Sequence, residues 1–324
     1  TGSVVRLIAT GPELGKTSQA FVFAENYMNT VPNSKTIYVK SEARLSPEMQ
    51  ARTGLKFVTS PKDWVAGTVF IFSTNVFEVI SKTLETLLHA IKGTDERLCI
   101  ILDSLDGCIL KSDLEKNVWD GKETVKVAGV PLLTKLLFRR LGLLISATDS
   151  LFVITSQYSA EIKIDPYSKE PPRPVIGSGG SAIAHQTDYV FSYAPRYMGD
   201  YICEDESAKP DTFKNKILGV YATVEIKKSG TDVTGSKVKI PIRKGRIGCA
   251  IWGEKECVDY MLGFGLIKRS GAWYSIDKNL TEQAKAEGIE FKDQYQGLQS
   301  IYSMMESAKK AFNWLYAKIK NTIV

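Results

Sequence analysis

The chain has 324 residues, a hydrophobic content of 44%, a charged content of 24% and a net charge of +6 at pH 7. These values are ordinary for a globular protein, exclude a disordered or fibrous chain, and suit one large α/β domain with a small appendage. The sequence has no run of about 18 apolar residues that would predict a membrane span. Its first residues lack a signal-peptide pattern and enter a strand almost at once, so we expect that a natural N-terminal segment precedes Thr1.

The cysteines are scattered and odd in number, at Cys99, Cys108, Cys203, Cys249 and Cys257. None forms a C-x-x-C pair, and the chain has only 2 histidines, so a structural zinc site is not expected. Reduced thiols in a cytoplasmic protein are the simpler interpretation.

The first half of the sequence alternates apolar runs with amphipathic segments. Strands are predicted at Val4–Thr10, Lys35–Lys40, Thr68–Phe72, Leu98–Leu102 and Leu151–Thr155. Helices are predicted between them, at Thr17–Asn29, Ser46–Thr53, Asn75–Lys92 and Val130–Ala147. This alternation predicts a parallel sheet covered by helices on both faces.

Two segments interrupt this alternation, Lys111–Gly129 and Tyr158–Gly180. The first is polar and charged, and the second is rich in proline and glycine. Both are longer than ordinary connections, and both follow strands at their carboxyl ends, where α/β sheets bind ligands. They are therefore predicted to be functional or disordered loops.

From residue 186 the pattern changes to segments that predict antiparallel strands. These are Tyr189–Tyr193, Val220–Ile226, Lys237–Ile242 and Ile247–Ile251, with a polar excursion between the first two. A final helix is predicted at Leu298–Ile319, whose apolar stripe favours a core-facing or partner-facing surface over a membrane helix. The domain assignment is therefore residues 1–256 for the core and residues 257–324 for a small C-terminal domain.

The segment after the first strand reads Gly11-Pro12-Glu13-Leu14-Gly15-Lys16-Thr17-Ser18 and leads into a helix. Backbone N–H groups at such a turn can hold phosphates, with Lys16 on the β- and γ-phosphates and Thr17 on Mg²⁺. The loop is one residue shorter than the usual G-x-x-x-x-G-K-[ST]. A plain βα turn is the alternative, but a G-K-T between an apolar run and a helix favours a nucleotide site.

Two acidic residues follow predicted strands of the same sheet. Asp103 ends an apolar strand, where it can reach Mg²⁺ directly or through water, and Glu42 follows the second strand, where it can polarise an attacking water. The alternatives are a turn residue at a strand end for Asp103 and a surface residue for Glu42. Together with Lys16 and Thr17, these carboxylates predict a metal and phosphate site.

Gln157 lies just after the strand that is predicted to end at Thr155. A neutral amide at this place can contact a γ-phosphate and transmit its presence to the loop that begins at the next residue. Such a residue would act as an order–disorder switch. A polar residue at a strand end without this role is the alternative.

Six short motifs occur in order over roughly residues 4–276. They are the phosphate loop, Y-V-K-S-E-A-R-L-S-P at 38–47, I-I-L-D-S at 100–104, I-T-S-Q at 154–157, G-G-S-A at 179–182 and G-A-W-Y-S at 271–275. Together they resemble the motifs G-P-E-S-S-G-K-T, F-I-D-A-E-H-A-L-D-P, V-V-V-D-S, I-N-Q, G-G-N-A and G-A-W-Y-S of RecA-type recombinases, and in texture the phage UvsX-like branch.

The resemblance implies an α/β fold with a RecA-like P-loop ATPase core, in which a mostly parallel central sheet carries an antiparallel extension and a small C-terminal domain. It implies ATP and Mg²⁺ as cofactors. Glu42 would be the catalytic glutamate, Lys16 would act on the phosphates, and Gln157 would sense the γ-phosphate. The two long loops would bind single-stranded DNA.

The residues assigned to DNA binding lie in or directly beside these two loops: Lys111, Lys116, Trp119, Lys122, Lys126, Lys163, Lys169, Arg173, Gly179, Gly180 and Ser181. Their cations can contact phosphates, but acidic residues of the same loops offset this charge, and a solvated charged loop is the alternative. The implied partners are single-stranded DNA, then homologous duplex DNA, and further copies of the chain in a helical filament.

In the family, ATP lies between adjacent subunits of the filament, and lysines of a K-x-K motif reach it from the neighbouring subunit. The best match in this chain is Lys237-Val238-Lys239. Residues 252–254, W-G-E, resemble a Y-G-E stretch near the neighbour's nucleotide, so Trp252 would help to hold adenine. Lysines on a solvated strand face are the alternative.

Three departures from the family bear on function. The phosphate loop is short, Lys40 stands where the family has an aspartate, and the family's N-terminal docking segment has no counterpart within residues 1–324. The leading hypothesis is an ATP-dependent recombinase that forms filaments on single-stranded DNA and promotes strand exchange. A non-catalytic paralogue acting as scaffold or mediator is favoured by the short loop and Lys40. A helicase motor is the second alternative, against which the match at 271–275 argues.

Overall fold

The computed structural model of the chain describes residues 2–42, 45–115, 129–160, 174–176, 180–205, 208–211 and 214–323. These residues form two compact units. The first consists of Thr1–Tyr197, Ala222–Lys239 and Gly245–Ala250, and the second of Met198–Tyr221, Ile240–Lys244 and Ile251–Val324. Within these described ranges, no helix is long and apolar enough to cross a membrane.

The first 193 residues alternate strands and helices. The strands are β1 (Ser3–Ala9), β2 (Ser34–Lys40), β3 (Lys56–Val58), β4 (Thr68–Ser73), β5 (Arg97–Asp103), β6 (Leu151–Ala160), β7 (Pro174–Ile176) and β8 (Tyr189–Tyr193). The helices are α1 (Lys16–Thr30), α2 (Pro47–Thr53), α3 (Phe77–Ile91), α4 (Lys111–Leu114), α5 (Gly129–Ala147) and α6 (Gly180–Gln186). This is the α/β alternation that the apolar periodicity predicts.

The rest of the chain contains six strands and four α-helices in its described part. The strands are β9 (Tyr201–Cys203), β10 (Ile217–Lys228), β11 (Lys237–Arg243), β12 (Ile267–Ser270), β13 (Trp273–Ile276) and β14 (Gln294–Gln296). The helices are α7 (Gly253–Gly263), α8 (Lys278–Ala286), α9 (Leu298–Ser307) and α10 (Lys309–Ile323), with a 3₁₀ turn at Met198–Asp200.

The large sheet has the strand order β11-β10-β8-β1-β6-β5-β2-β4-β3, with β7 paired to β6 and β9 paired to β10. Every pair from β3 to β8 along this order is parallel. The pairs that β10 makes with β8 and with β9 are antiparallel. The prediction of a mostly parallel central sheet with an antiparallel extension is therefore confirmed.

The central strands are apolar because helices cover them. Leu98, Ile100 and Leu102 of β5 belong to one buried cluster with residues of α3 and α5. The α3 helix contributes Ile80, Leu84, Leu88 and Ile91, a spacing of three and four residues that places them on one helical face. Because β1, β2, β5 and β6 are parallel neighbours, their carboxyl ends meet at one edge of the sheet.

The second unit has its own core, which includes Trp252, Val258 and Met261 around α7 and residues of the three-stranded sheet β12-β13-β14. It takes in segments before residue 251 that the predicted boundary at residue 256 leaves in the first domain. The strand β9 lies in one of them, within the segment that the sequence identified only as a polar excursion.

The helix that the sequence predicts at Leu298–Ile319 is two helices, α9 and α10, which meet at a non-helical Ala308 with φ −108° and ψ 73°. The buried residues of α9 include Ile301 and Met305, and those of α10 include Leu315 and Ile319. At 3.6 residues per turn, one unbroken helix would place these two sets only about 40° apart, so the apolar spacing predicts a single helix and does not reveal the break.

The strand predicted at Ile247–Ile251 is absent from this described part of the chain. Only a single bridge joins Ile251 to Ile242, and Ile247 is 76% exposed. Gly248 has a left-handed φ of 91°, and its N–H donates to the carbonyl of Ala51. The apolar composition suggested a strand, whereas the left-handed glycine interrupts extended backbone.

Candidate nucleotide site

The phosphate loop connects β1 to α1 at the carboxyl edge of the sheet. Gly15 is the N-cap of α1 with φ 102°, and Glu13 is also left-handed with φ 57°. Because Gly15 has no side chain, the N–H groups of the first turn of α1 receive no side-chain cap. The Lys16 ammonium donates to the carbonyl of Gly11 at 3.1 Å, so it folds back over the loop. A bound phosphate would satisfy both the N–H groups and the ammonium.

Three hydroxyl groups converge on the carboxylate of Asp103. Thr17 donates to Oδ2 at 3.0 Å, Tyr38 donates to the same oxygen at 2.8 Å, and Thr155 donates to Oδ1 at 2.5 Å. Burial raises the pKa of Tyr38, and the nearby charge of Asp103 raises it further, so the phenol stays a neutral donor. These contacts fix Asp103 beside the first turn of α1.

Thr17 and Asp103 supply the hard oxygen ligands that Mg²⁺ prefers. A Mg²⁺ ion in such a site keeps several water molecules and takes oxygens from the nucleotide, so it needs few protein ligands. The described residues contain no cluster of three or more histidine, cysteine or acidic residues that could hold a metal by themselves. The residues present fit a magnesium–nucleotide complex.

Glu42 lies at the end of β2 and contacts the turn that follows β5. Ser104 donates its hydroxyl hydrogen to Oε1 of Glu42, and Ser41 donates to the carbonyl of Ser104 at 2.5 Å. The Ser41 N–H also donates to the Asp103 carbonyl at 3.2 Å. Glu42 is therefore held next to the Asp103 cluster, with its second carboxylate oxygen left for another donor such as water.

Cys108 is close to this group, since its sulfur lies 3.7 Å from the carbonyl oxygen of Ser104. Burial raises the pKa of the Cys108 thiol to about 12. The thiol is therefore neutral near pH 7, and it is not poised to act as a nucleophile or metal ligand.

Gln157 lies on β6, directly opposite Ala9 of β1, and therefore at the same edge as the phosphate loop. Its backbone N–H donates to Oδ2 of Asp106 at 2.8 Å. The sheet thus brings Lys16, Thr17, Glu42 and Gln157 to one edge, as the sequence-based model of the site requires.

A groove adjoins the first turn of α1. It is lined by Thr17, Ser18 and Phe21 of α1, by Met49 of α2, and by Cys249 and Ala250. Ser18 was assigned to the nucleotide from its place in the motif, and the groove gives it a position beside Thr17. Glu25, Arg52 and Thr53 also line this groove, so polar and charged groups stand beside its apolar side chains.

The residues expected to reach a neighbour's nucleotide differ in their exposure. Lys237 and Lys239, at the start of β11, are exposed. Trp252 has no exposed surface: it is packed against Tyr302 with ring centroids 5.3 Å apart, and the guanidinium of Arg243 lies 4.4 Å from its ring. The expectation that Trp252 contacts adenine is therefore at odds with its place in the core, because a buried indole offers no contact surface.

Few of the residues assigned to DNA lie in the described part of the chain. Lys111 is exposed at the start of α4, with its ammonium 4.0 Å from Glu115. Gly180 and Ser181 form the start of α6. The other assigned residues lie outside the described ranges: Lys116, Trp119, Lys122, Lys126, Lys163, Lys169, Arg173 and Gly179.

Tyr38, Thr155, Ser104 and Asp106 were not assigned to the site from the sequence. Tyr38 and Thr155 stand in otherwise apolar strands, where a tyrosine or threonine also suits an ordinary core. The signal that could have found them is positional: Tyr38 pairs with Ile101, two residues before Asp103, and Thr155 follows Ile154, the partner of Leu102.

No protein-family model matches the chain. Over 133 residues it is 23% identical to protein RecA of Chloroherpeton thalassium, an alignment that covers 35% of this chain and 34% of that protein. The chain thus matches about a third of the length of this curated relative. The similarity and the sheet order are consistent with a RecA-like α/β core, and they support a RecA-like relationship at this coarse level.

Proposed function

We propose that the chain is an ATP-dependent, single-stranded-DNA-binding protein of the RecA type. The observation that carries this proposal is the hydrogen bond between Thr17 and Asp103, which joins the phosphate loop to the end of β5. Lys16 directly precedes Thr17 in the chain, and Glu42 accepts a hydrogen bond from Ser104, the residue that follows Asp103. A cation, a hydroxyl–carboxylate pair and a second carboxylate are the groups that phosphoryl transfer to water uses.

In the proposed reaction, the N–H groups at the start of α1 and the Lys16 ammonium hold the β- and γ-phosphates of ATP. Thr17 and Asp103 would hold Mg²⁺, which neutralises charge that develops on the phosphate oxygens. Glu42 orients a water and accepts its proton as the water oxygen bonds to the γ-phosphorus. The bond to the β–γ bridging oxygen breaks, and ADP and inorganic phosphate leave.

The proposal extends to DNA and to assembly. Lys111 and the cations of residues 116–128 and 161–173 would contact the phosphates of single-stranded DNA. Lys237 and Lys239 would reach the nucleotide of an adjacent copy in a helical filament, in which homologous duplex DNA is then paired and exchanged. Support comes from the resemblance of the motifs and the local similarity to a RecA protein, and the phage UvsX-like branch is part of the same proposal.

A second function is favoured by two features of the site. The phosphate loop is short, and β2 ends in Lys40, which places a cation two residues before Glu42. Extra positive charge beside a catalytic base stabilises its deprotonated form and so makes it a weaker proton acceptor. A scaffold or recombination mediator that binds nucleotide without turnover would tolerate both features.

The experiment that tests the proposal is ATP hydrolysis with and without single-stranded DNA, with Lys16→Ala as the control. We expect turnover that rises with DNA and is lost in Lys16→Ala. Loss of one charge-assisted contact of about 1.5–3 kcal/mol corresponds to roughly 10- to 150-fold weaker nucleotide binding. Turnover that is equal in both proteins would contradict the assignment of the loop.

The scaffold alternative makes a different prediction in the same assay. It predicts that neither protein turns over ATP while the parent still binds single-stranded DNA or a nucleotide. Lys82→Ala, an exposed lysine on α3 away from the phosphate loop, serves as a matched charge control and should behave like the parent.

A further inference from the structure

The turn at Ser104–Gly107 lies between β6 and the end of β2. The ladder between β5 and β6 ends at the pair Leu102 and Ile154, whereas β6 continues to Ala160. Beyond Ile154, the side of β6 that faced β5 has no further strand partner in this ladder. Leu105–Gly107 form a 3₁₀ turn at this place.

Asp106 supplies the missing hydrogen bond to β6. Its Oδ2 accepts the N–H of Gln157 at 2.8 Å, where a carbonyl of β5 would otherwise be required. A carboxylate that accepts a backbone N–H makes a charge-assisted bond, which is stronger than the ordinary strand contact that it replaces.

A buried arginine supports Asp106 from the neighbouring strand. Arg6 of β1 is 1% exposed, and its Nε donates to the hydroxyl of Ser156 at 2.9 Å. Burial lowers the pKa of Arg6, and the negative charge of Asp106 acts in the opposite direction. The carboxylate and the guanidinium therefore stabilise each other's charge beside Gln157.

The other side of the same turn contacts Glu42. The Ser104 hydroxyl donates to the Glu42 carboxylate, and the Ser104 carbonyl accepts from Ser41. Gly107 is packed so closely that an added Cβ would lie 2.9 Å from Cγ of Glu42 and 3.1 Å from the carbonyl oxygen of Ser41. Within this turn, Asp106 contacts Gln157, whereas Ser104 and Gly107 lie against Glu42.

We propose that Asp106 is a positioning residue that couples the backbone of Gln157 to the carboxylate of Glu42 through the Ser104–Gly107 turn. The turn is short and internally hydrogen-bonded, with the N–H of Gly107 donating to Ser104 at 3.3 Å and the N–H of Cys108 donating to Leu105 at 3.2 Å. A displacement of Gln157 therefore moves the turn, and the turn moves Glu42. The inference rests on the proposed role of Glu42 in ATP hydrolysis.

Two variants of Asp106 separate its acceptor from its charge. Asp106→Ala removes the acceptor for the Gln157 N–H, whereas Asp106→Asn keeps an acceptor oxygen and removes the charge. Asp106 is exposed, so neither change leaves a cavity in the core. Circular dichroism spectra and unfolding midpoints that match the parent are the required check that both variants are folded.

Amide hydrogen exchange provides a readout that does not need activity. In Asp106→Ala we expect exchange at the Gln157 N–H to rise about tenfold, because a hydrogen bond of about 1–2 kcal/mol is lost. If the turn couples the two strands, exchange at the Ser41 N–H, which donates to Asp103, rises as well. Asp106→Asn should stay close to the parent at both amides.

ATP turnover provides the second readout. We expect Asp106→Ala to lower kcat about tenfold with little change in KM, because nucleotide contacts are intact and Glu42 is misplaced. Faster exchange at Gln157 with unchanged exchange at Ser41 and unchanged kcat would overturn the coupling. If the parent itself does not hydrolyse ATP, the proposed function fails, and the Ser41 exchange alone then decides whether the two strands are coupled.

Discussion

Thr17 donates a hydrogen bond of 3.0 Å to Asp103, which lies 86 residues later in the chain. This contact joins the first residues of α1 to the end of β5, and both oxygens of Asp103 are already held by hydroxyl donors. The carboxylate is thus in place before any ligand arrives. Such preorganisation lowers the cost of binding a magnesium–nucleotide complex.

Asp103→Asn should weaken the use of Mg²⁺ while it preserves the shape of the site. The variant keeps an acceptor oxygen but removes the negative charge, so we expect the Mg²⁺ concentration for half-maximal ATP turnover to rise about 10- to 100-fold. A magnesium titration at saturating ATP measures this shift. An unchanged titration would show that Asp103 does not face the metal.

Tyr38→Phe tests whether the hydroxyl donors orient Asp103. Loss of the 2.8 Å hydrogen bond should raise the Mg²⁺ requirement by roughly fivefold, corresponding to about 1 kcal/mol. The matched control is Tyr27→Phe, because the Tyr27 hydroxyl donates to the carbonyl of Asp149 and not to the site. Equal effects of the two variants would argue for a general loss of stability instead of an orienting role.

Glu42→Gln should separate nucleotide binding from hydrolysis. The amide can still accept the hydrogen bond of Ser104, but it cannot take a proton from water, so we expect kcat to fall about 10²- to 10⁴-fold. Binding of ATP and of single-stranded DNA should stay near the parent values in equilibrium titrations. Turnover at the parent rate would show that another residue is the base.

Gly107→Ala should displace Glu42 without removing any functional group. The added Cβ would lie 2.9 Å from Cγ of Glu42, so the carboxylate must shift, and we expect kcat to fall about tenfold or more. Gly142→Ala is the control, because a Cβ at this position of α5 meets nothing within 4 Å. A small effect at Gly107 that equals the effect at Gly142 would mean that the space around Glu42 is not critical.

Glu256 makes the stability of the second unit depend on pH. Burial raises the pKa of Glu256 above its ordinary value of 4.5, although the Tyr316 hydroxyl, 3.2 Å from Oε2, acts in the opposite direction. The folded chain therefore binds this proton more tightly than the unfolded chain. The contribution of the group to stability is full below the unfolded pKa and is lost as pH rises through the folded pKa.

Glu256→Gln should consequently be more stable than the parent at pH 7 and equal to it in acid. The amide avoids the burial of a charge and can still accept a hydrogen bond from Tyr316. Denaturant unfolding at a series of pH values between 3 and 8 gives the difference in unfolding free energy. A difference in unfolding free energy that stays constant between pH 3 and 8 would show that the titration of Glu256 is not its source.

Much of the first unit followed from the apolar pattern, because its central strands are buried on both faces. β5 was predicted to within one residue at each end, since the run Leu98–Leu102 has no competing helical period. The strand predicted at Ile247–Ile251 was wrong, because composition does not reveal the left-handed backbone of Gly248. The break at Ala308 leaves no mark in the apolar spacing, because the buried residues on either side of it fit one helical face.

The sequence predicted those site residues whose type is unusual at their position, and it missed those whose type is common there. Lys16 stands out because it follows a glycine between an apolar strand and a helix, and Asp103, an ordinary strand-end residue by itself, becomes informative only together with Lys16 and Thr17. Tyr38 has no such mark, since its hydroxyl becomes informative only when the parallel register places it beside Asp103. For Trp252 the local motif resembled a ligand contact, whereas the packing of the second unit buries the indole.

The place of β1 in the sheet has a consequence for the newly made chain. β1 is synthesised before the other strands of the sheet, yet its two neighbours, β6 and β8, begin only at Leu151 and Tyr189. At about 5–20 residues per second, the apolar segment Ser3–Ala9 is synthesised roughly 7–30 s before its first partner. Until then this apolar segment cannot form its pairs with β6 and β8, so the central sheet closes only after Tyr193 has been synthesised.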